Sequence, residues 1–121
     1  MPEMTIIVEF ETLDGREAEF TALMRDHARK TLHEEPGCLR FEVVRPVEPD
    51  GAPILNRLVV NELYSDETAL AAHEQSARMP RLRAATAPLL KSRRLILAKA
   101  LDEAVDDAGL TPDELNASND G

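Results

Sequence analysis

Residues 61–76 read NELYSDETALAAHEQS and contain the change from strand to helix on which the fold depends. The alternation that is typical of a strand ends at Tyr64, and Asp66 is a residue type that caps helices. Leu70 and His73 follow three residues apart and therefore share one helical face. The stretch predicts a strand, a turn and a short helix that directs an imidazole towards the sheet.

The same periodicities, followed outward from this stretch, predict four strands and three helical segments. The predicted strands are residues 4–12, 38–45, 54–64 and 94–100, and the predicted helical segments are residues 16–33, 66–75 and 80–90. The resulting order, β-α-β-β-α-β, is the split βαβ arrangement. We therefore expect an α+β, ferredoxin-like domain with a four-stranded antiparallel sheet.

Two boundary signals flank the first helix. Asp14, with Glu17 three residues later, predicts the helix N-cap. Pro36 and Gly37 predict its end, because proline cannot continue a helix and glycine frees the following turn.

The central strands of this arrangement, the first and third, are apolar on both faces around Ile7 and Val59. The helices can cover only one face of the sheet, and the other would leave apolar side chains in water. We therefore expect a homodimer that packs sheet against sheet.

The composition is that of one globular domain of 121 residues, with 43% apolar and 31% charged side chains. The N-terminus has no basic leader, and no window approaches the roughly 20 apolar residues of a membrane span. The single Cys38 is too few for a disulfide framework or a cysteine-based zinc site, and three dispersed histidines give weak support for any metal. We expect a cytoplasmic protein with no membrane association and no metal.

The net charge of -9 is concentrated at the C-terminus. Residues 102–121 hold seven acids and no Lys or Arg, whereas residues 1–101 hold 16 acids and 14 bases. The sequence thus predicts a domain over residues 1–101 and an acidic tail over residues 102–121, the latter either a short helix or disordered. Neither part offers the basic face that nucleic-acid binding requires.

Six of the bases cluster in 17 residues. They are Arg78, Arg81, Arg83, Lys91, Arg93 and Arg94. This cluster is either a solvated surface, an anion subsite or a docking site for the acidic tail.

Side chains that could carry chemistry converge between the helices and the sheet. The predicted pocket would be lined by Phe10, Phe20, Phe41, Tyr64, His27 and His73. A histidine there could move a proton near neutral pH, and an inward Glu62 would need a partner or a raised pKa. The alternative is that both histidines are core residues bonded to backbone carbonyls and that Tyr64 only packs.

Residues 34–44 (EEPGCLRFEVV), taken together with residues 61–76, resemble the antibiotic biosynthesis monooxygenase family over residues 4–101. The resemblance implies a dimeric α/β barrel. The family that the chain resembles includes quinol and anthrone monooxygenases, which use O2 without metal or flavin. Glu62, Tyr64 and His73 match the family signature, and His27 and Thr31 occupy positions that line the pocket in relatives.

The sequence also departs from the family at informative positions. The haem-degrading branch uses an Asn on the first strand and a Trp on the third, and this chain has neither, so we do not expect haem degradation. Many relatives have a second histidine where this chain has Arg78, which would favour an anionic substrate.

We expect a cofactor-independent monooxygenase that acts on a quinol-like or enolisable small molecule, with O2 as co-substrate. His73 would transfer the proton, and Tyr64 and Glu62 would orient it or the substrate. Two alternatives stay open, namely an isomerase of a small phosphorylated, autoinducer-like compound and a non-catalytic small-molecule binding module.

Overall fold

The structure, a computed structural model, describes residues 2–101; the predicted acidic tail and its possible helix lie outside the described residues. The elements are β1 (Met4–Thr12), α1 (Glu17–Glu34), β2 (Cys38–Val44), β3 (Arg57–Tyr64), α2 (Glu67–Glu74), α3 (Arg78–Thr86), a 3₁₀ turn (Ala87–Leu89) and β4 (Leu90–Lys99). The strands form one antiparallel sheet in the order β2-β3-β1-β4. The predicted ferredoxin-like α+β fold is confirmed, with β1 and β3 in the centre.

The core lies between one face of this sheet and the helices. Alternate residues of β1 and β3 point into it, among them Ile6, Val8 and Val60, and α1 contributes Phe20 and Met24. These side chains are almost fully buried, so their apolar surface supplies most of the stabilisation of the domain.

The other face of the sheet carries no helix of the described part of the chain. Ile7 and Val59 lie on it, half-buried, and Ile96 of β4 pairs with Ile7 across the two strands. The face therefore alternates apolar groups with charged pairs such as Arg94–Glu9.

Helix α1 begins without a side-chain cap, so the prediction for Asp14 is wrong. Arg16 occupies the N-cap position and its side chain makes no capping hydrogen bond. Asp14 Oδ1 instead accepts a hydrogen bond from Asn56 Nδ2 at 2.6 Å, and Asn56 has φ 61°, a conformation that asparagine tolerates better than most residues. The carboxylate ties the β1–α1 turn to the start of β3, a contact between distant residues that a local pattern cannot reveal.

The largest differences from the predicted boundaries lie at the starts of β3 and β4 and at both ends of α3, which ends at Thr86 rather than residue 90. β3 begins at Arg57 rather than residue 54, and β4 begins at Leu90 rather than residue 94. The polar start of β4 still pairs with β1, because pairing uses the backbone and the edge strand leaves its side chains in water. Helix α3 begins at Arg78, with Pro80 in the first turn, where a missing N–H is tolerated.

Gly37 serves close packing rather than an unusual backbone angle. A Cβ atom at this position would lie 2.4 Å from Ala69 Cβ, a distance that real contacts do not reach. Its carbonyl oxygen also accepts a hydrogen bond from the Ser65 N–H at 2.9 Å. The start of β2 and helix α2 are therefore in direct contact, and this contact fixes the position of α2 above the sheet.

Candidate functional site

A cavity opens on the helix-covered face of the sheet, between β1, β3, β4 and helices α1, α2 and α3. The centre of a water-sized molecule can move through about 80 Å³ of it. Its walls include the apolar side chains of Val8, Phe10 and Val60. Six ionisable side chains also line it, namely His27, Glu62, His73, Glu74, Arg83 and Arg93. An apolar cavity with a few converging polar groups is the usual form of a small-molecule site.

His73 lies between two carboxylates. Its side chain is 2% exposed, Nδ1 is 2.9 Å from Glu35 Oε1, and Nε2 is 3.7 Å from Glu62 Oε1. Asp66 positions helix α2, which carries His73, because Asp66 Oδ1 accepts a hydrogen bond from the Ala69 N–H at 2.8 Å. The Nδ1 contact favours a proton on Nδ1, which leaves the lone pair of Nε2 directed towards Glu62 and the cavity.

Glu62 is a buried carboxyl group whose protonation changes near neutral pH. Burial raises its pKa to about 7, although the hydrogen bond that Tyr64 Oη donates to Oε1 at 2.6 Å works in the opposite direction. Burial, followed by the neighbouring Glu62 carboxylate, raises the pKa of Tyr64 far above its usual range. Tyr64 therefore stays a phenol and acts only as a hydrogen-bond donor to Glu62.

Glu35 is held from the opposite side by Arg78. Arg78 Nη2 donates to Glu35 Oε2 at 2.6 Å and to Thr31 Oγ1 at 3.2 Å, and Arg78 Nη1 pairs with Glu34. The guanidinium charge is thus shared between two carboxylates of its own chain. It supports Glu35, which in turn orients His73.

The second inward histidine, His27, has a different environment. It is 4% exposed, and its ring centroid lies 5.3 Å from that of Phe41 and 5.4 Å from that of His73. Burial, helped by His73 and Arg78, lowers its pKa to about 4. His27 is therefore neutral at physiological pH and forms an aromatic wall of the cavity.

The structure brings the three predicted catalytic side chains into contact, and it divides the predicted binding residues into two groups. Phe10, His27, His73 and Glu62 line the cavity. Contrary to the predicted lining, four buried side chains lie behind this wall, namely Phe20, Phe41, Tyr64 and Thr31, and Arg78 lines the neighbouring groove on the other side of His27. Phe20 packs on Phe10 at a centroid distance of 4.8 Å, and Tyr64 lies behind Glu62.

Sequence reasoning missed Glu35. The residue belongs to the EEPGC stretch, but its contact with His73 joins positions 38 residues apart. An acid placed just after a helix ordinarily faces water, so only the tertiary structure reveals its role.

Two further features concern the described residues alone. Within residues 2–101, no three or more His, Cys, Asp or Glu side chains are grouped so that they could hold a metal ion. In the same part of the chain, no helix has the length and apolar character needed to cross a membrane.

The fold and the cavity define a class, namely ferredoxin-like α+β domains with a cavity between sheet and helices that buried ionisable side chains line. The sequence profile of the antibiotic biosynthesis monooxygenase family matches residues 4–85. The chain belongs to this family.

Solved structures share the fold of this chain. A candidate antibiotic biosynthesis monooxygenase from Caulobacter crescentus CB15 superposes with a TM-score of 0.73 at 24% identity, over 84% of this chain and 92% of that one. Rv0793 from Mycobacterium tuberculosis superposes with a TM-score of 0.70 at 25% identity, over 84% of this chain and 98% of that one. A dimeric ferredoxin-like protein of unknown function from Bacteroides fragilis NCTC 9343 superposes with a TM-score of 0.64 at 10% identity, over 81% of this chain and 96% of that one. No curated protein sequence matches the chain.

Proposed function

We propose that the protein is a monooxygenase that removes a proton from a quinol-like or enolisable small molecule and lets the resulting anion react with O2. The observation that carries this proposal is the His73 ring, clamped between Glu35 and Glu62 at the wall of an apolar cavity. Family membership supports the same class of reaction.

The first step is proton transfer from substrate to the Glu62–His73 pair. A catalytic base works best when its pKa lies near the working pH, and the pKa of Glu62, about 7, meets this condition. Nε2 of His73 is the adjacent second acceptor, and Tyr64 stabilises the carboxylate form of Glu62 by donating its hydrogen bond. The apolar walls hold the substrate anion away from water, which would otherwise compete for it.

The second step uses O2 and the substrate alone. An activated CH2 group becomes a carbonyl, one oxygen atom enters the product and the other leaves as water. The four electrons that reduce O2 come from the substrate carbon, so the reaction balances without an external reductant. We accordingly propose that no metal, flavin or haem takes part.

We also propose that the active form is a homodimer joined through the open faces of its sheets, in the manner of an α/β barrel. The half-buried apolar side chains of that face, Ile7, Val59 and Ile96, support this assembly. The described fold resembles one neighbour that is itself named as dimeric.

The test is O2 uptake by the purified protein with a panel of naphthalene- and anthracene-type quinols and enolisable ketones, corrected for spontaneous oxidation. We expect His73→Ala to lower the rate with a turned-over compound by at least about 100-fold, the size of a lost acid–base catalyst. His33→Ala, a change at the exposed end of α1, is the matched control and should keep the full rate. Full O2 uptake by His73→Ala would reject the proposal.

The rival functions give different results in the same assay. An isomerase turns over equally well under argon, and a binding module is thermally stabilised by a ligand without turnover. The structure weakens the argument for a phosphorylated substrate at Arg78, because Glu34 and Glu35 already pair with that side chain.

A further inference from the structure

The basic cluster at residues 78–94 separates into paired and unpaired members. Four of its six side chains contact a carboxylate of the chain, namely Arg78 with Glu34 and Glu35, Arg83 with Glu74 at 3.2 Å, Lys91 with Glu11 at 3.6 Å and Arg94 with Glu9 at 3.4 Å. Within residues 2–101, no Asp or Glu oxygen lies within 4.0 Å of a guanidinium nitrogen of Arg81 or Arg93. The positive charges of these two arginines could therefore bind an external anion.

Only Arg93 of this pair lines the cavity of Glu62 and His73. It pairs in register with Phe10 across β1 and β4, so both side chains lie on the helix-covered face of the sheet. Arg81 instead lines a neighbouring groove beside α1, together with Asp26 and Lys30, and this groove meets the cavity at His27 and Leu82. Arg93 is thus the site residue, and Arg81, which does not line the cavity, is its control.

The sheet register sets the separation of Arg93 and Glu62. Glu62 pairs with Ile6, whereas Arg93 pairs with Phe10, four residues further along β1 and on its opposite side. Four residues along the strand and two strand spacings across the sheet place the two Cα atoms roughly 16 Å apart. A ligand that reaches both side chains must therefore carry its two polar groups at opposite ends.

The surface between these two ends is apolar. Val8, Phe10 and Leu95 lie along it, and Leu95 is still 46% exposed. This surface suits a flat apolar body about the size of two fused rings.

We propose that Arg93 is an anion-binding residue at the mouth of the cavity, and that the substrate carries a carboxylate or phosphate at the end opposite its acidic proton. The inference rests on the proposed function for the choice of Glu62 and His73 as the reacting end. A guanidinium group binds either anion through two parallel hydrogen bonds, so the shared chemistry is a planar or tetrahedral oxyanion.

The test is equilibrium binding of four fluorescent probes in the absence of O2. The probes are 2-naphthol, 6-hydroxy-2-naphthoate, 6-hydroxy-2-naphthyl phosphate and 3-hydroxy-2-naphthoate. The first is neutral, the second and third carry the anion at the far end, and the fourth carries it beside the hydroxyl. The second and third probes separate a carboxylate from a phosphate as the preferred group.

We expect Arg93→Gln to weaken the preferred far-end anion about ten-fold, as for one lost charge-assisted contact, and to leave 2-naphthol and 3-hydroxy-2-naphthoate unchanged. Arg81→Gln should leave all four dissociation constants unchanged. Equal weakening of neutral and anionic probes, an equal effect of Arg81→Gln, or no binding of either far-end anion would overturn the inference. If the acidic residues 102–121 were the anion that binds Arg93, charged and neutral probes would bind with the same affinity. That result would also overturn the inference.

The outcome is separate from that of the proposed function. Binding is measured without turnover, whereas the oxygenase proposal is tested by O2 uptake and the His73→Ala variant. Loss of anion preference in Arg93→Gln would support the subsite whichever reaction follows, whereas full O2 uptake by His73→Ala would reject the proposed function and leave the binding result standing.

Discussion

The residue that distinguishes this site is Glu62, a carboxyl group that the fold places in an apolar wall with a phenol and an imidazole as neighbours. A carboxylate loses hydration when it is buried, and one hydrogen bond from Tyr64 does not replace what it loses. The result is a group that holds a proton more tightly in the folded chain than in the unfolded one. This same property would make it a base for a weakly acidic substrate.

Glu62 should therefore make the stability of the protein depend on pH. Its pKa is about 7 when folded and 4.5 as the ordinary value, so the unfolded chain releases this proton first as the pH rises. The free energy of unfolding should fall between pH 4.5 and pH 7, by up to about 3 kcal/mol from this group. His27 acts in the opposite direction, since a folded pKa of about 4 against 6.5 lowers stability as the pH falls through that range.

The pH effects of Glu62 and His27 on stability offset each other in the wild-type protein. The Glu62→Gln variant removes the contribution of Glu62, so its difference from wild type isolates that contribution. Relative to wild type, Glu62→Gln should gain up to about 3 kcal/mol between pH 4.5 and pH 8, measured by urea denaturation across that range. Glu48→Gln, in the exposed loop between β2 and β3, is the control and should follow the wild-type curve. A constant difference between Glu62→Gln and wild type at all pH values would contradict the assignment of a raised pKa.

The element that carries the site is α2, an eight-residue helix whose position depends on one close contact. Gly37 and Ala69 meet where the chain enters β2, and His73 lies one helical turn beyond Ala69. Helix α2 is short, so its own backbone hydrogen bonds hold it weakly and packing decides where it lies. The depth of His73 in the cavity is therefore set at Gly37.

Gly37→Ala should destabilise the protein by about 1–3 kcal/mol, because the added Cβ atom overlaps that of Ala69. Thermal and urea unfolding measure the loss. In an Ala69→Gly background, which itself costs about 1 kcal/mol of helix propensity, Gly37→Ala should be almost neutral because the clash is gone. Additive losses in the double variant would show that Gly37 matters for another reason.

The elements also show how far the sequence could lead. Period-two and helical patterns located every strand and helix, and they placed Glu62, Tyr64 and His73 on faces that meet, because these are properties of neighbouring residues. These patterns could not predict contacts between residues that are distant in the sequence. The hydrogen bond from Asn56 to Asp14 and the contact of Glu35 with His73 join positions 42 and 38 residues apart.

The same limit explains the cavity lining. A pattern can direct Phe20 and Phe41 inward, but it cannot tell the wall of a cavity from the layer behind it. That distinction depends on how the helices are spaced over the sheet. It is also why Arg78, read from the sequence as a possible anion site, proves to be a support for Glu35.

At the scale of the whole molecule, the open face of the sheet is the surface on which the proposed dimer depends. Two cross-strand pairs, Val44–Val59 and Ile7–Ile96, place apolar side chains on it, and charged pairs such as Arg94–Glu9 alternate with them. Water in contact with this apolar area is unfavourable, and a second copy of the face would remove it on both chains at once. Stable dimers bury roughly 800 Å² per partner, which requires most of a four-stranded face.

We therefore expect a mass of twice 13.4 kDa in sedimentation equilibrium at micromolar concentration. Ile96→Lys, on edge strand β4, should shift the mass towards the monomer, because two buried ammonium groups would lose hydration without gaining a partner. Leu55→Lys is the matched control, since Leu55 is 70% exposed in the loop before β3 and its replacement should leave the dimer intact. A monomeric wild-type protein would contradict the sheet-to-sheet assembly, and the apolar face would then need another occupant. The charge change at position 96 leaves the helix-covered face untouched, so circular dichroism should show the same secondary structure in both variants.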